Sequence, residues 1–292
     1  MTLPRTDTVV LYPEGALSAT ASVLHAEPVE GGLAVLLDRT AAHPVDPAWP
    51  DQSADRGAVI VGSDEFPLIG CVVGATDGER LFVGADVPVK KGTEGWAFVV
   101  VHLLPADAVL QSDRAEVRID ATHRERLGIG HTACHLASLA LNRALAGAWR
   151  KEPRADALGA PDFDAVACER STILERGSLD EYRVGRSVRR AGFDPEALAD
   201  LDAVEAAVRL EFAAWIATGA VVSIEAEGTG LTDRRWWVCA LPDGTARIPC
   251  GGTHATRLTE LEGIEVELDA RELEGAVGFA MITHHGDRAP VA

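Results

Sequence analysis

The chain has 292 residues, of which 47% are hydrophobic and 25% are charged, so one large or two ordinary folded domains are expected and a largely disordered chain is excluded. The formal net charge is −18, with 27 Lys and Arg against 45 Asp and Glu, which excludes a protein that coats nucleic acid by bulk attraction. The five cysteines are an odd number spread along the chain, which favours reduced thiols over a disulfide framework.

No targeting or membrane segment is predicted. The most apolar stretch, residues 97–110, is interrupted by polar residues and proline, and it falls short of the ~18 residues that a membrane-spanning helix needs. The N-terminus lacks the positive, apolar and small-residue regions of a signal peptide. We therefore expect a cytoplasmic protein without a membrane partner.

Residues 1–112 have the pattern of an antiparallel β domain. Short apolar runs at Gly32–Leu37, Gly57–Val61 and 95–101 are separated by turn residues. An Asp-Gly pair at 77–78 precedes another strand candidate, as in a hairpin. The pattern predicts a barrel or a sandwich as the first domain.

Residues 113–292 change to a mixed pattern. A helix with few breakers is predicted over 131–145, and apolar residues at three- and four-residue steps predict a helix over 195–217. Strand candidates follow at 220–224, 235–239 and 264–268, with a final apolar stretch at 278–282. We expect an α+β fold class, with a second domain over residues 113–292.

Two short motifs combine into a candidate metal site. His131 and His135 are four residues apart on a predicted helix, so both imidazoles project from one face. Far downstream, Cys250-Gly-Gly-Thr-His254 places a thiol and an imidazole four residues apart, and its glycines allow a tight turn. Each motif alone is more often an ordinary helix face or a buried turn. Together, three histidines and one cysteine form a ligand set that suits zinc.

The same motifs carry a family resemblance. His-Thr-Ala-Cys-His at 131–135 resembles the first motif of the editing domain shared by alanyl- and threonyl-tRNA synthetases and the AlaX-type trans-editing proteins. Cys-Gly-Gly-Thr-His at 250–254 is similar to the second motif, and residues 255–264 follow the family pattern. In the first half, residues 37–40 and 50–57 resemble the segments where AlaX-type proteins place a threonine and a loop ending in Gln.

The resemblance implies a fold and a reaction. The fold is a translation-factor-like antiparallel β-barrel, residues 1–112, followed by a synthetase-type editing domain, residues 113–292. The reaction is hydrolysis, in trans, of the ester that joins serine or glycine to the terminal ribose of mischarged tRNA(Ala). The partner is therefore mischarged tRNA, bound by a local basic patch over residues 150–190, and not DNA.

The resemblance also implies roles for six residues. A zinc ion would be held by His131, His135, Cys250 and His254. His131 and His135 are the catalytic candidates, together with Thr40, which would hydrogen-bond a β-hydroxyl of the substrate, and Gln52, which would line the same pocket. The threonyl branch of the family is thought to work without bound zinc, so a histidine acting as the base stays open beside the metal.

One segment departs from the family pattern and keeps other substrates open. Residues 43–51 have lost the usual glycines and gained prolines and Trp49, so the loop is stiffer and bulkier. Threonyl- or fluorothreonyl-tRNA is the alternative substrate within the family. Outside this reaction, the alternatives are an inactive metal-binding or tRNA-binding module and a metallohydrolase of small esters.

Overall fold

The computed structural model describes residues 2–286, which form a mixed fold of many strands and few helices. The predicted α+β class is therefore confirmed. These residues divide into two compact units. Unit 1 contains residues 2–124, Ile224–Arg235 and Cys250–Thr253, and unit 2 contains Glu125–Ser223, Trp236–Pro249 and 254–286. The domain boundary after residue 112 stays a prediction.

Unit 1 is rich in antiparallel strands. The first ten strands are β1 (Val9–Val10), β2 (Ser18–Val29), β3 (Gly32–Leu37), β4 (Arg39–Thr40), β5 (Gly57–Val61), β6 (Asp64–Pro67), β7 (Gly70–Thr76), β8 (Leu81–Val83), β9 (Ala97–Leu104) and β10 (Arg114–Ile119). Eight of them form one antiparallel sheet in the order β6-β5-β10-β2-β3-β9-β7-β8, and β1 pairs in parallel with β4.

The centre of this sheet is buried on both faces. Successive residues of a strand point to opposite sides, and β3 sends Val35 into one apolar cluster and Leu36 into another. Strand β9 does the same with Val100 and Val101. This apolar centre explains the near-continuous hydrophobic runs of both strands, because a strand covered on both faces loses its polar alternation.

Unit 2 carries most of the helices. The helices are α1 (Ala121–Ala144), α2 (Phe163–Ala167), α3 (Arg186–Ala191) and α4 (Leu201–Ala217), and the remaining strands are β11 (Cys168–Leu174), β12 (Gly177–Val184), β13 (Val222–Ala226), β14 (Arg235–Leu241), β15 (Gly244–Pro249), β16 (Ile264–Leu273) and β17 (Ala276–His285). One sheet has the order β11-β12-β17-β16 and another the order β13-β14-β15. None of the described helices is both long and apolar enough to cross a membrane.

Helix α1 begins at Ala121, ten residues before the predicted start. Its N-terminal N–H groups, those of Thr122 and His123, donate to the Asp120 carboxylate at 3.0 and 3.1 Å. The sequence prediction was wrong here because Gly128 and Gly130 are poor helix formers. The structure uses them for close approach, since a Cβ on Gly130 would lie 2.2 Å from the Leu174 carbonyl oxygen.

Helix α4 is shorter than predicted. Residues Pro195–Leu198 form a separate 3-10 turn, and the α-helix starts at Leu201. Asp200 follows the turn and caps the helix, because its carboxylate accepts from the Ala203 N–H at 3.0 Å. The apolar periodicity continues through the turn, so it does not reveal this break.

Candidate metal centre

Helix α1 presents two histidines side by side. The ring centroids of His131 and His135 lie 4.9 Å apart, as expected for residues one helical turn apart. His131 is buried, and the Nε2 atom of His135 is buried as well. The helix therefore directs both imidazoles into the protein, where water does not compete for them.

A close backbone contact brings the third histidine to this helix. The ring of His254 lies 4.3 Å from that of His131 and 5.2 Å from that of His135, measured between centroids. The next residue, Ala255, donates its N–H to the Gly128 carbonyl and to Thr132 Oγ1, both at 3.0 Å. A Cβ on Gly128 would lie 2.9 Å from the His254 carbonyl carbon, so this approach requires glycine.

Four donor atoms converge at this point. One atom from each of His131, His135, Cys250 and His254 lies within 4.8 Å of all the others. Taken together, the two motifs predict this ligand set, and the structure brings the motifs together from 115 or more positions apart in sequence. The cluster is able to hold a metal ion.

The chemistry of the donors fits a metal. Nε2 of His135 is buried and has no hydrogen-bond partner within residues 2–286, a costly arrangement for a polar atom unless something else satisfies it. Burial lowers the pKa of His135 to about 4, so its imidazole is neutral at physiological pH and keeps a lone pair for a metal. Three nitrogen donors and one sulfur donor suit a borderline-soft divalent ion such as zinc.

Burial keeps the thiol of Cys250 protonated. Burial is the largest effect on this thiol and raises its pKa to about 12, although the Gly252 N–H, 3.5 Å from Sγ, works in the opposite direction. Without a metal the thiol therefore keeps its proton at neutral pH. Since the thiolate is the ligand, binding of a metal displaces this proton, and affinity should rise with pH.

Two neighbours shape the surroundings of the histidines. Thr132 Oγ1 lies 3.4 Å from Nδ1 of His254, which orients the ring and leaves its Nε2 as the other donor nitrogen. The fully buried Trp237 lies against the rings of His135 and His254, with centroids 5.4 and 6.4 Å away. Sequence analysis missed both roles. Thr132 lies inside the first motif, whereas nothing in the sequence near Trp237 indicates its contact.

Gln52 braces the segment that carries Cys250. Its side-chain NH₂ donates to Thr253 Oγ1 at 2.8 Å, and its Oε1 accepts from the Thr253 N–H at 3.0 Å. Both residues are buried in unit 1. This two-point contact fixes the conformation of the Cys250–Thr253 turn, so Gln52 has a defined positioning role. Its role as a pocket residue stays a prediction.

Thr40 lies in the core of unit 1. Its Oγ1 is hydrogen-bonded to His102 Nε2 at 2.8 Å and accepts from the Ala42 N–H at 3.0 Å. The other nitrogen of His102 lies 3.2 Å from the Val35 carbonyl oxygen. The Thr40 side chain is fully buried, so the structure gives its hydroxyl partners within the protein. The predicted contact of Thr40 with a substrate hydroxyl stays a prediction.

Comparison with known proteins assigns no family. No protein-family model matches the chain, and a search of curated proteins finds no match either.

Proposed function

We propose that the chain is a trans-acting aminoacyl-tRNA deacylase, a hydrolase that cleaves the ester of mischarged tRNA. The single observation that carries this proposal is the convergence of His131, His135, Cys250 and His254 on one point. These are the residues at which the sequence resembles both motifs of the synthetase editing domain. A resemblance and a ligand cluster are independent observations, and they select the same four side chains.

The architecture is compatible with the same proposal. The eight-stranded antiparallel sheet of unit 1 and the helix and sheets of unit 2 occur in the order that the resemblance implies. We accordingly propose a translation-factor-like β-barrel followed by an editing domain. Helix α1 supplies two of the ligands, as a helix that opens the second domain would.

Ester hydrolysis requires an aimed water molecule and a stabilised oxyanion. Zinc bound by the four donors would act as a Lewis acid on the ester and lower the pKa of water. The chain itself orients His254 through Thr132 and holds the Cys250 turn through Gln52. The buried ring of Trp237 covers one side of His135, and an apolar surrounding would strengthen electrostatic interactions there.

The amino acid that is removed is proposed to be serine or glycine on tRNA(Ala), with threonine or fluorothreonine as the alternative. The alternative stays open because the loop over residues 43–51 departs from the family pattern. Its three prolines and Trp49 replace flexible glycines, so a pocket bounded by it would be narrower and more rigid.

Exposed arginines offer a tRNA-contacting patch in an otherwise acidic protein. Its exposed members include Arg183 on β12 and Arg186, Arg189 and Arg190 on α3. Phosphate contacts make binding salt-dependent in proportion to the number of phosphates neutralised. Reversing these four charges should weaken tRNA binding and flatten its salt dependence. Hydrolysis of a small ester would not need the patch.

A second candidate function is an inactive module that binds metal or tRNA. Four protein donors are the pattern of a closed, structural zinc site, whereas catalytic zinc keeps a position for water. The two functions differ in turnover and agree in metal binding.

Single-turnover deacylation separates them. The panel is seryl-, glycyl-, threonyl- and fluorothreonyl-tRNA, with zinc measured on the same preparation. We expect one substrate to be cleared by protein that holds about one zinc, and His135→Ala to lose both properties. The matched control is His102→Ala, which removes another buried histidine outside the cluster. Stoichiometric zinc without clearance of any substrate would contradict the deacylase and leave the inactive module or a metallohydrolase of small esters.

A further inference from the structure

Trp49 is a large aromatic side chain that folding leaves in solvent. It is 70% exposed, whereas a tryptophan of a folded domain normally buries most of its surface. Its indole N–H donates to Asp51 Oδ2 at 3.0 Å. The polar atom of the ring is therefore occupied, and the ring offers its faces. An exposed ring held in this way has no evident role in stabilising the fold.

The loop that carries Trp49 is rigid. Pro44, Pro47 and Pro50 restrict the backbone, and Asp46 closes a turn by accepting from the Ala48 N–H at 3.0 Å. Further backbone hydrogen bonds join Val45 to β7 in both directions at 3.0 Å. A ligand that stacks on Trp49 would therefore lose little free energy in ordering the loop.

The chain that follows this loop contacts the segment that carries Cys250. Gln52, three residues after Trp49, makes the two-point contact with Thr253 that holds the Cys250 turn. Three residues span at most about 10 Å, which is the scale of a single nucleotide. Within unit 1, the exposed indole is thus tethered close to the segment that supplies the sulfur ligand.

A lysine pair lies at the base of this loop. Lys91 Nζ is 2.6 Å from Asp46 Oδ2, which links the loop to residues 90–91. Lys90 is exposed and has no ion pair within residues 2–286. The loop thus carries an exposed aromatic ring and is linked by Asp46 to a segment with an exposed lysine. Single-stranded nucleic acid binds through these two kinds of group, since bases stack on rings and phosphates contact cations.

We propose that Trp49 stacks on the nucleobase of the terminal nucleotide of the substrate, beside the ribose that carries the ester. This rests on the proposed function and adds a specificity-determining residue to it. Stacking recognises any base through its π-face, so it positions the acceptor end without reading its sequence. Stacking also gives Trp49 a role that the flexible glycines usual in this loop of the family could not fill, because glycine has no ring on which a base can stack.

The test compares Trp49→Ala and Trp49→Phe with the parent, and uses Leu210→Ala as the matched control. Leu210 is an apolar residue of α4 that is 75% exposed and belongs to unit 2, outside the loop of Trp49 and outside the metal-ligand cluster. Two uncharged tRNA minihelices serve as probes, one ending in CCA and one lacking the terminal adenosine. Binding is measured at equilibrium, and KM and kcat are measured with the charged tRNA that the parent hydrolyses.

We expect Trp49→Ala to weaken binding of the CCA minihelix and raise KM by about 5- to 150-fold, the range that corresponds to 1–3 kcal/mol of stacking. Its kcat should stay near the parental value, and Trp49→Phe should recover most of the loss. The minihelix without the terminal adenosine should bind the parent and Trp49→Ala equally weakly. Leu210→Ala should behave as the parent.

The outcomes separate this inference from the proposed function. A parent that binds and deacylates tRNA while Trp49→Ala keeps the parental KM and affinity would overturn the stacking alone. Loss in Trp49→Ala that phenylalanine does not restore, or that persists without the terminal adenosine, would overturn it too. A parent that neither binds the minihelix nor deacylates any tRNA would overturn both proposals before any variant is compared.

Discussion

His102 of unit 1 and His135 of unit 2 share a lowered pKa, and they differ in exposure and in their partners: His102 is fully buried, whereas His135 is half-buried. Burial lowers the pKa of each to about 4. The two nitrogens of His102 contact Thr40 Oγ1 and the Val35 carbonyl. Nε2 of His135 has no such partner in the described part of the chain and lies among two other imidazoles.

The comparison shows that neither burial nor a lowered pKa identifies a ligand. Both histidines are neutral at physiological pH, and only one has a lone pair that the protein leaves unsatisfied. An unpaired buried polar atom costs about 1–3 kcal/mol, and a metal bound among the clustered donors would offset this cost for Nε2 of His135. His102 serves the core, and His135 serves the proposed centre.

The largest effect is expected for His135→Ala, and comparison with His102→Ala separates a metal ligand from a core histidine. His135→Ala should leave less than stoichiometric zinc and reduce deacylation by more than about 100-fold, the upper range for loss of even an outer-shell partner. His102→Ala should keep its zinc and lose stability. Metal analysis and single-turnover rates check both variants. Full zinc content in His135→Ala would contradict the ligand assignment.

A smaller effect is expected one step away from the ligands. Thr132→Val removes the hydroxyl that contacts Nδ1 of His254 and the Ala255 N–H. We expect zinc affinity to fall by about 10- to 100-fold, because outer-shell groups orient the ligand ring. Competition with a chelator measures this affinity. Thr132→Ser keeps the hydroxyl and should bind zinc as the parent does; equal losses in both variants would argue for a packing effect.

Thr40→Val tests the role of His102 in the core, because it removes the hydroxyl that is hydrogen-bonded to His102. The change leaves His102 Nε2 without its partner, so the free energy of unfolding should fall by about 1–3 kcal/mol. Urea denaturation measures this loss, and deacylation of seryl- and glycyl-tRNA is measured in parallel. Equal rates on the two substrates would assign Thr40 to the core alone, whereas a selective loss on seryl-tRNA would establish the predicted substrate contact.

The smallest effect is a difference in pH dependence. The pKa of His102 is about 4 when folded and about 6.5 when unfolded, so the unfolded chain binds more protons between these values. The free energy of unfolding should therefore fall as the pH drops from about 6.5 to 4. His102→Gln should make this slope shallower by up to one proton, about 1.4 kcal/mol per pH unit. An unchanged slope in urea denaturation at several pH values would contradict the assignment.

Local patterns predicted much of the fold. The apolar runs Gly32–Leu37 and Gly57–Val61 have the bounds of β3 and β5. The start of α1 could not be predicted, because Gly128 and Gly130 lower helix propensity and their close backbone contacts are formed by segments distant in sequence. Helix propensity depends on a residue and its neighbours in sequence. These two glycines are required instead by close contacts with the backbone of His254 and of Leu174.

In the candidate site, too, local patterns predict some features and contacts between distant residues determine the others. The helical spacing of His131 and His135 predicts a shared face, and the turn residues before His254 predict a tight bend. No spacing predicts that Thr40 pairs with His102, because these residues are 62 positions apart on different strands. Nor does the sequence indicate that His135, rather than His102, keeps an unpaired nitrogen. Tertiary packing decides both.

The pairing of Gln52 with Thr253 bears on how the protein is made. These residues are 201 positions apart, and residues 224–235 and 250–253 also belong to unit 1. A ribosome adds about 5–20 residues per second, so the early strands wait on the order of ten seconds or more for their last segment. Meanwhile the loop of Gln52 lacks its partner and the thiol ligand does not yet exist. Nascent chains stalled before residue 250 should therefore be incomplete in unit 1 and unable to retain zinc.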